Sequence, residues 1–374
     1  MSPNSSATEA PTPPITPEKF TESDFQKGVP RAIPSILELK KALPAHCFQP
    51  DLTTSFYYAF KDLALVAGLY IIMLAMELQP YTLLKWAYIP IYWYVSGTLM
   101  ASIFIVGHDC GHESFSNNSL INDIVGNFMH TIILVPYYPW KLSHRHHHKN
   151  TGNIDKDEVF YPVREQHRNK DSELMIPYFG LGIGWIFYMF KGYSPRTINH
   201  FNPFNHLFIK HSVNCIISMA CLTAWMGLVV IPYGSAYGFS RLAIHYLMPV
   251  FGFMCWIVFI TFLHHHDENV PWYGDEKWDF VRGQLSSVDR NYGWAHDVLH
   301  NIGTHQIHHL FSKVPHYHLE EATKVFRERY PELVRKSDER LIPAFIRIFH
   351  MFMDQVWIPD DAQVHSYTLS KKSL

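Results

Sequence analysis

Four long apolar runs constrain the fold of this chain more than any other feature. They cover residues 63–78, 86–106, 213–232 and 242–263, and each is near the roughly 20 residues that a helix needs to cross a bilayer. Trp and Tyr residues flank the runs, as is typical of the interface between lipid and water. Buried core helices of a soluble protein are the alternative. Only 17% of the residues are charged, below the roughly 25% of soluble domains, which favours membrane-spanning helices.

The four runs form two close pairs. Their connections, residues 79–85 and 233–241, are short enough to predict two antiparallel helical hairpins. In that arrangement only Lys85 and Arg241 lie on the far side of the membrane, and the other 29 of the 31 Lys and Arg residues lie on the near side or at its edge. The positive-inside rule therefore places the near side, with both termini, in the cytosol.

The remaining segments predict one domain over residues 33–358 with a tail at each end. Residues 1–32 are rich in Ser, Thr, Pro and acidic residues, which is typical of a disordered tail and not of a signal or transit peptide. Residues 33–45 predict an amphipathic helix on the membrane surface. The C-terminal tail, residues 359–374, ends in KKSL, which is similar to the dilysine retrieval signal of endoplasmic reticulum membrane proteins.

Three shorter apolar stretches carry polar breaks or are too short to span a bilayer. They cover residues 121–139, 176–190 and 341–357, and they predict interfacial or re-entrant segments.

The 25 histidines are the outlier of the composition, and three short motifs contain the most informative of them. The motifs are HDCGH at residues 108–112, HRHHH at 144–148 and HQIHH at 305–309, all on the predicted cytosolic side just beyond helix ends. Spacings of three and four residues point side chains from one face of a helix toward a common centre. The candidate metal ligands are His108, His112, His144, His147, His148, His305, His308 and His309.

A ninth candidate ligand is His265, in the run of three histidines at the end of the last apolar run, with His300 as the alternative. His146 occupies a variable position of the second motif and is excluded. Eight or nine imidazoles exceed the four ligands of one zinc ion, so the sequence predicts two metal ions. Imidazole suits iron, copper, zinc and nickel.

Carboxylates near the motifs could hold the outer ring nitrogens of the ligands. The nearest in sequence are Asp109, Asp157, Asp267 and Asp289. Because a neutral imidazole shell leaves most of the metal charge uncompensated, negative oxygen species derived from dioxygen would suit such a centre.

Other chemistries lack their signatures. A net charge of −2 gives no basic footprint for nucleic acid. The chain shows neither a dinucleotide fingerprint nor a GxSxG nucleophile elbow, so electrons for oxygen chemistry must come from outside. The five scattered cysteines do not predict a disulfide framework.

The three motifs resemble the HxxxH, HxxHH and HxxHH boxes of the integral-membrane fatty acid desaturases. The resemblance covers residues 33–330 and extends to GHDCGH, PWK before the second box, VRG, VDR and PHYHL. It implies a mushroom-shaped helical fold, an enclosed acyl tunnel, a di-iron centre and reduction by cytochrome b5 or a ferredoxin. The absence of an HPGG signature implies that no cytochrome b5 domain is fused to the chain.

The finer motifs resemble the methyl-end branch of that family. HDCGH in the first box, DKDE after the second and IGTH before the third favour omega-3 over Δ12 desaturases. In stearoyl-type relatives an Asn precedes the ninth histidine by four residues, whereas Thr261 stands there in this chain.

We therefore expect an all-α membrane protein with four transmembrane helices in two hairpins and a cytosolic helical cap that carries a histidine-ligated di-iron site. The expected activity is omega-3 desaturation of a fatty acyl lipid or acyl-CoA at the endoplasmic reticulum membrane. Cytochrome b5 and its reductase are the expected electron donors, and no nucleic acid is expected as a partner. The alternatives are a Δ12 desaturase, a sister acyl hydroxylase or acetylenase, and, from other classes, a zinc membrane hydrolase or a metal transporter.

Overall fold

The computed structural model of this chain describes residues 33–168 and 177–368. The predicted tail over residues 1–32, the start of the stretch 176–190 and the dilysine-like end lie outside the described residues. The described chain is mainly helical. In chain order its α-helices are α1 (Ile36–Ala42), α2 (Leu52–Leu78), α3 (Thr82–His112), α4 (Ser119–Thr131), α5 (Tyr137–Asn150), α6 (Gly182–Phe190), α7 (Ser212–Trp225), α8 (Ile231–Tyr237), α9 (Phe239–Leu242), α10 (Met248–His265), α11 (Phe280–Gln284), α12 (Ala295–Val298), α13 (His305–Leu310), α14 (His316–Arg329) and α15 (Leu341–Asp354).

Short turns of 3₁₀ or π geometry extend several of these helices. A π turn over Met226–Val230 joins α7 to α8, and another over Ala243–Leu247 joins α9 to α10. Two continuous helices result, Ile209–Tyr237 and Phe239–His265. A separate 3₁₀ turn, Ala45–Phe48, lies between α1 and α2.

Within the described residues, four helices are long and apolar enough to cross a membrane: α2, α3, Ile209–Tyr237 and Phe239–His265. Each contains one of the four predicted apolar runs, so the prediction of four candidate spans is confirmed. In their most apolar stretches, 17% of residues are buried in α2 and 22% in Ile209–Tyr237, against 72% in α3. The helices α2 and Ile209–Tyr237 therefore present apolar side chains outward, as helices that face lipid do.

The helices α3 and α10 cross closely at a pair of glycines. A Cβ atom on Gly97 would lie 2.9 Å from the Cα atom of Gly252, so a larger residue would force the helices apart. Nearby, the Trp256 indole donates a hydrogen bond of 2.8 Å to the Thr98 hydroxyl. This crossing fixes α3 against α10 and thereby sets the relative position of their C-terminal ends, which carry histidines.

We call residues 113–168, 177–208 and 266–368 the cap; it leaves out the four long helices, the short connections within each pair of them, and the N-terminal segment that precedes α2. Within it, α15 buries a row of apolar side chains that includes Phe345, Ile348 and Phe352 but leaves Ile342 and Ile346 exposed. The helix α4 likewise exposes apolar side chains. These amphipathic helices coincide with the stretches predicted to be interfacial.

The N-terminal helix is shorter than predicted and packs on protein. Its first turn is fixed by a capping box in which Ser35 and Glu38 exchange hydrogen bonds. Leu39 and Leu43 are buried in an apolar cluster with residues of α13 and α14. The prediction of a helix on the membrane surface did not include this contact with α13 and α14. The sequence shows that the helix has an apolar face but not which part of the protein covers that face.

The packed part of the chain continues beyond the predicted domain end at residue 358. The chain forms eight short strands in the described residues: β1 (Val163–Arg164), β2 (Gly192–Tyr193), β3 (Arg196–Thr197), β4 (Pro271–Tyr273), β5 (Asp289–Arg290), β6 (Lys336–Ser337), β7 (Trp357–Ile358) and β8 (Val364–Ser366). β1 pairs with β7 and β5 with β6 in parallel, while β2 pairs with β3 and β4 with β8 in antiparallel. The all-α prediction omitted these pairs, and residues 364–366, which lie within the predicted C-terminal tail, pair with β4 of the cap.

Candidate metal centre

Three helices bring the predicted histidines together. The last turn of α3 carries the first box, α5 carries the second and α13 carries the third. The helix α3 packs on α5, and the short helix α11 contacts both α5 and α13. The three boxes therefore converge although nearly two hundred residues separate the first from the last.

The first group of histidines combines all three boxes. Ring nitrogens from five side chains lie within 4.8 Å of one another, and these side chains are His108, His112, His144, His148 and His308. His148 Nε2 lies 3.2 Å from His144 Nε2 and 3.1 Å from His308 Nε2.

The second group contains the remaining four candidates. His147, His265 and His309 place ring nitrogens within 4.8 Å of one another. His305 joins them, because its Nε2 lies 2.9 Å from His309 Nε2 and 3.3 Å from His265 Nε2. All nine predicted residues thus lie in two adjoining groups, which we call the nine-histidine cluster.

Each HxxHH box divides its side chains between the two groups. In α5, His144 and His148 belong to the first group and His147 to the second. In α13 the division is reversed, because His308 belongs to the first group while His305 and His309 belong to the second. Residues four apart share a helix face and the third points elsewhere, so two helices can furnish two sites side by side.

The nitrogen separations fit metal ions better than hydrogen bonds. His265 Nε2 lies 3.2 Å from His147 Nε2 and also 3.3 Å from His305 Nε2. An imidazole nitrogen offers one proton or one lone pair, so it cannot bond well to two such neighbours. Ligands about 2.1 Å from one ion lie roughly 3.0–3.4 Å apart in octahedral or tetrahedral geometry. His112 Nε2 is buried without any hydrogen-bond partner, which also fits a ligand.

Burial keeps five of the cap histidines in this cluster neutral. Desolvation holds the pKa of five side chains well below the usual 6.5, and these are His144, His148, His305, His308 and His309. The neutral ring, with a free lone pair, is the form that binds a metal. The two groups contain no carboxylate among the residues that the structure describes.

Partners on the outer ring nitrogens orient two members of the second group. His147 Nδ1 lies 2.8 Å from Asp157 Oδ1, and Asp157 is one of the carboxylates predicted from the sequence. The ring is the donor in this hydrogen bond, because an ionised carboxylate can only accept. His309 Nδ1 donates to Gln284 Oε1 at 3.1 Å, although no motif in the sequence points to this amide. Both bonds leave Nε2 as the lone-pair nitrogen that faces the cluster.

The other predicted carboxylates behave differently. Asp109 lies 3.5 Å from His108 Nδ1 but accepts its hydrogen bond from His316, at 2.9 Å. Asp267 pairs with arginines, and Asp289 accepts from the backbone of Gln306 and from an arginine, so neither holds a ligand ring. These two predictions are wrong because closeness in sequence does not place a carboxylate behind a ring.

The run of three histidines contributes only its middle member. His264 bonds to the Val288 carbonyl and, at 2.7 Å, to the Tyr292 hydroxyl. The two ring nitrogens of His266 lie 3.1 and 2.7 Å from the backbone carbonyls of Phe262 and Phe160, so its one N–H donates to a carbonyl and not to the cluster. Both rings are thus occupied, and His265 alone of the three joins the cluster.

The alternative ninth candidate, His300, lies in a separate group of buried polar side chains. Its Nε2 donates to Asp62 Oδ2 at 2.6 Å, and Ser102 donates to the same carboxylate oxygen at 2.8 Å. The His300 ring contacts the ring of His316, which in turn bonds to Asp109. We call these five residues the Asp62 network, which the sequence did not reveal.

A narrow apolar cavity of about 70 Å³ reaches both groups of histidines. Its walls include side chains from α3, α5, α6 and α10, and the ligand candidates His108, His144, His147, His265 and His305 line it as well. Most of the wall is hydrocarbon, with contributions from Phe104, Trp140, Phe160, Trp185, Tyr188, Ile257, Val258, Ile260, Thr261 and Ile302. The wall of this slot is therefore mainly apolar.

Comparison with known proteins agrees with this site. Residues 84–339 match the model of the fatty acid desaturase family. The sn-1 acyl-lipid omega-3 desaturase (ferredoxin) of a Nostoc species is 38% identical over 90% of this chain and 91% of its own length. An endoplasmic reticulum omega-3 fatty acid desaturase of Nicotiana tabacum is 38% identical over 82% of this chain and 80% of its own. A chloroplastic, temperature-sensitive sn-2 acyl-lipid omega-3 desaturase (ferredoxin) of Arabidopsis thaliana is 35% identical over 84% of this chain and 72% of its own length.

Proposed function

This chain belongs to the fatty acid desaturase family, and we propose that it introduces a cis double bond at the omega-3 position of an acyl lipid. The reaction consumes dioxygen and electrons supplied from outside. The observation that carries the proposal is the similarity, over more than four-fifths of the chain, to omega-3 desaturases from cyanobacteria and plants. The apolar cavity beside the histidine cluster supports it, because that cavity suits a hydrocarbon chain and not a polar substrate.

We propose that the nine-histidine cluster holds two iron ions, one in each group. The first ion would take His108, His112, His144, His148 and His308, and the second would take His147, His265, His305 and His309. Bound iron would supply the oxidising power, drawn from dioxygen, that removal of hydrogen from an unactivated C–H bond requires. No acid or base among the side chains can break such a bond.

The protein's own part is to hold the acyl chain and to exclude water. The aromatic rings of Trp140 and Phe104 pack edge to face, 4.9 Å apart, on the cavity wall. Thr261, also on the wall, turns its hydroxyl to the Ile257 carbonyl of its own helix at 2.7 Å. An acyl chain in the slot would therefore meet chiefly hydrocarbon, and its position along the slot would set which carbons reach the histidines.

For the membrane arrangement we propose two hairpins with both termini and the histidine boxes in the cytosol. The two short connections lie together, because Glu77 at the end of α2 pairs with Arg241 at the start of α9. His245 also contacts Glu77, at 3.1 Å. This polar contact supports a shared far side for the two connections, at the helix ends away from the histidine boxes.

We propose cytochrome b5 and its reductase as electron donors and the endoplasmic reticulum as the location. The relatives leave two possibilities, since the tobacco protein is named for the endoplasmic reticulum and the Nostoc protein for ferredoxin. The name of the tobacco relative supports the endoplasmic reticulum for the proposal. Whether the acyl group arrives on a phospholipid or on coenzyme A is a question for the experiment below.

The test is expression in yeast fed with linoleic acid, followed by gas chromatography with location of double bonds. We expect a trienoic product whose new bond is at the omega-3 carbon, and separation of lipid classes before analysis identifies the acyl carrier. New dienoic acids made from endogenous monoenes would show a Δ12 enzyme. Hydroxylated or acetylenic products would show a sister activity. Bound zinc with no dependence on dioxygen would show a hydrolase and overturn the proposal.

A further inference from the structure

Four metal-ligating side chains outside the nine-histidine cluster meet where the N-terminal segment contacts α14. His46 and Cys47 lie in the 3₁₀ turn Ala45–Phe48, and His318 and Glu321 lie near the start of α14. One donor atom from each lies within 4.8 Å of the other three. The proposed desaturation uses none of them.

We propose that these four side chains bind a zinc ion that fastens the N-terminal segment to the cap. Two imidazoles, one thiolate and one carboxylate complete the tetrahedral shell that zinc prefers in proteins. Because four protein ligands leave no open position, the site would be structural and not catalytic. The proposal is independent of the desaturase activity.

The geometry is close to that of a tetrahedral zinc site. His46 Nε2 lies 3.7 Å from Cys47 Sγ. A zinc ion about 2.1 Å from the nitrogen and about 2.3 Å from the sulfur would set these two atoms roughly 3.6 Å apart. His46 Nε2 lies 2.8 Å from the Glu321 carboxylate, which a movement of a few tenths of an ångström would convert to the spacing of two ligands. His318 and Glu321 are three residues apart in a helix and so share one face.

The surroundings suit an ion of charge +2. Cys47 is fully buried in an apolar cluster with Leu39 and Phe311, whereas the side chains of His46 and Glu321 are about half exposed. Zinc could thus approach from solvent and meet the thiol against an apolar wall. One thiolate and one carboxylate would neutralise the charge of the ion, and this neutralisation lowers the free-energy cost of placing the ion in a partly buried site.

Binding would release the thiol proton to solvent. Burial raises the pKa of Cys47 to about 11, so the side chain is a neutral thiol in the absence of a metal. Zinc must displace that proton to form the Zn–S bond, and its affinity should therefore rise with pH.

A zinc ion here would connect distant parts of the chain. On one side, α1 and the 3₁₀ turn lead directly into α2. On the other, α14 follows α13, the helix of the third histidine box, and packs against it. The ion would thus stabilise the position of the first membrane helix relative to the helix that carries three of the candidate iron ligands.

The first test offers Co²⁺, as a zinc substitute, to the full-length protein purified in detergent. Thiolate-to-cobalt charge transfer gives a near-ultraviolet absorption band that imidazole and carboxylate ligands do not give. We expect this band in the wild-type protein and its loss in the Cys47→Ser variant. The nine-histidine cluster contains no cysteine, so cobalt bound there cannot produce the band.

The second test measures zinc and iron per chain by mass spectrometry after equilibration with free Zn²⁺. His46→Gln and Glu321→Gln alter exposed side chains and should leave the fold intact. We expect each to weaken zinc binding at least tenfold without changing the iron content. Cys221→Ser, outside the site, is the matched control and should behave as wild type. A wild-type protein that gives no charge-transfer band, or zinc binding that is equal in wild type and in His46→Gln, would overturn the proposal.

Discussion

The nine-histidine cluster and the Asp62 network both contain buried histidines, but the partners of their ring nitrogens differ. In the nine-histidine cluster the ring nitrogens face one another, and the cluster includes no carboxylate among the described residues. In the Asp62 network, His300 and His316 each donate to a carboxylate, at 2.6 and 2.9 Å. A carboxylate satisfies only the ring nitrogen that donates to it, as Asp157 satisfies His147 Nδ1, whereas Nε2 lone pairs that face one another remain unsatisfied without a metal. The ring nitrogens that face other rings, and not burial, separate a candidate ligand from a structural histidine.

The strongest test of this comparison removes one ring from the cluster. His147→Ala should abolish desaturation, with a loss of at least about 100-fold, because it removes a second-group ligand and leaves the Asp157 carboxylate buried without its partner. The measurement is omega-3 product in yeast lipids, with an immunoblot of the membrane fraction. His146→Ala is the matched control, because His146 lies next in sequence but outside both groups. Full activity in His147→Ala would remove this residue from the proposed centre.

The next test concerns the carboxylate behind a ligand. Asp157→Asn keeps the side-chain shape but removes the charge that fixes the His147 ring, so iron affinity should fall about 10- to 100-fold. Iron per chain after dialysis against a chelator measures the effect. Asp275→Asn, at a half-exposed carboxylate paired with Lys156, should retain iron like the wild type. Equal retention in both variants would mean that Asp157 does not support the centre.

A third test removes the acceptor of the Asp62 network. Asp62→Ala leaves His300 Nε2 and the Ser102 hydroxyl without their shared carboxylate. The unfolding free energy should fall by about 1.5–3 kcal/mol, while iron per folded chain stays unchanged. Thermal unfolding in detergent and metal analysis give the two values. Loss of iron without loss of stability would place the Asp62 network in the metal centre, and it would then not differ in role from the nine-histidine cluster.

The smallest expected effect is a pH dependence. Burial lowers the pKa of His300 to about 4, against 6.5 in the unfolded chain, so the unfolded state takes up a proton first as the pH falls. The stability contributed by this group is present above pH 6.5 and is lost between pH 6.5 and 4, by about 1 kcal/mol from pH 6.5 to 5.5. His300→Gln should have a shallower pH dependence than the wild type in thermal melts. Identical profiles would show that His300 titrates normally.

The prediction of the family and of its omega-3 branch from the three boxes is confirmed by the relatives, and the prediction of four apolar helices is confirmed by the structure. Both rest on local patterns. A helix places residues three and four apart on one face, and its apolar length decides whether it can span a bilayer. The spacing within a box therefore already contains the division of His144, His147 and His148 between two groups.

Other features depend on contacts that sequence spacing does not encode. Asp157 holds the ring of His147, a candidate ligand, whereas Asp267, the nearest carboxylate to His265 in sequence, pairs with arginines instead. Gln284 was not foreseen, because an amide that accepts from His309 has no signature of its own. The burial of Leu39 against the cap and the pairing of β4 with β8 have the same origin, since each joins segments far apart in the chain.

The sequence by itself determined the number of apolar helices, the three histidine boxes and the family, because these follow from composition and spacing over a few turns of helix. Only the tertiary structure decided that His265, and not His264, His266 or His300, completes the cluster. The physical reason is that all four histidines are buried, and the three others are already held by carbonyls, a tyrosine hydroxyl or Asp62. Which rings are left free to face one another is settled by packing between α3, α5, α10 and α13.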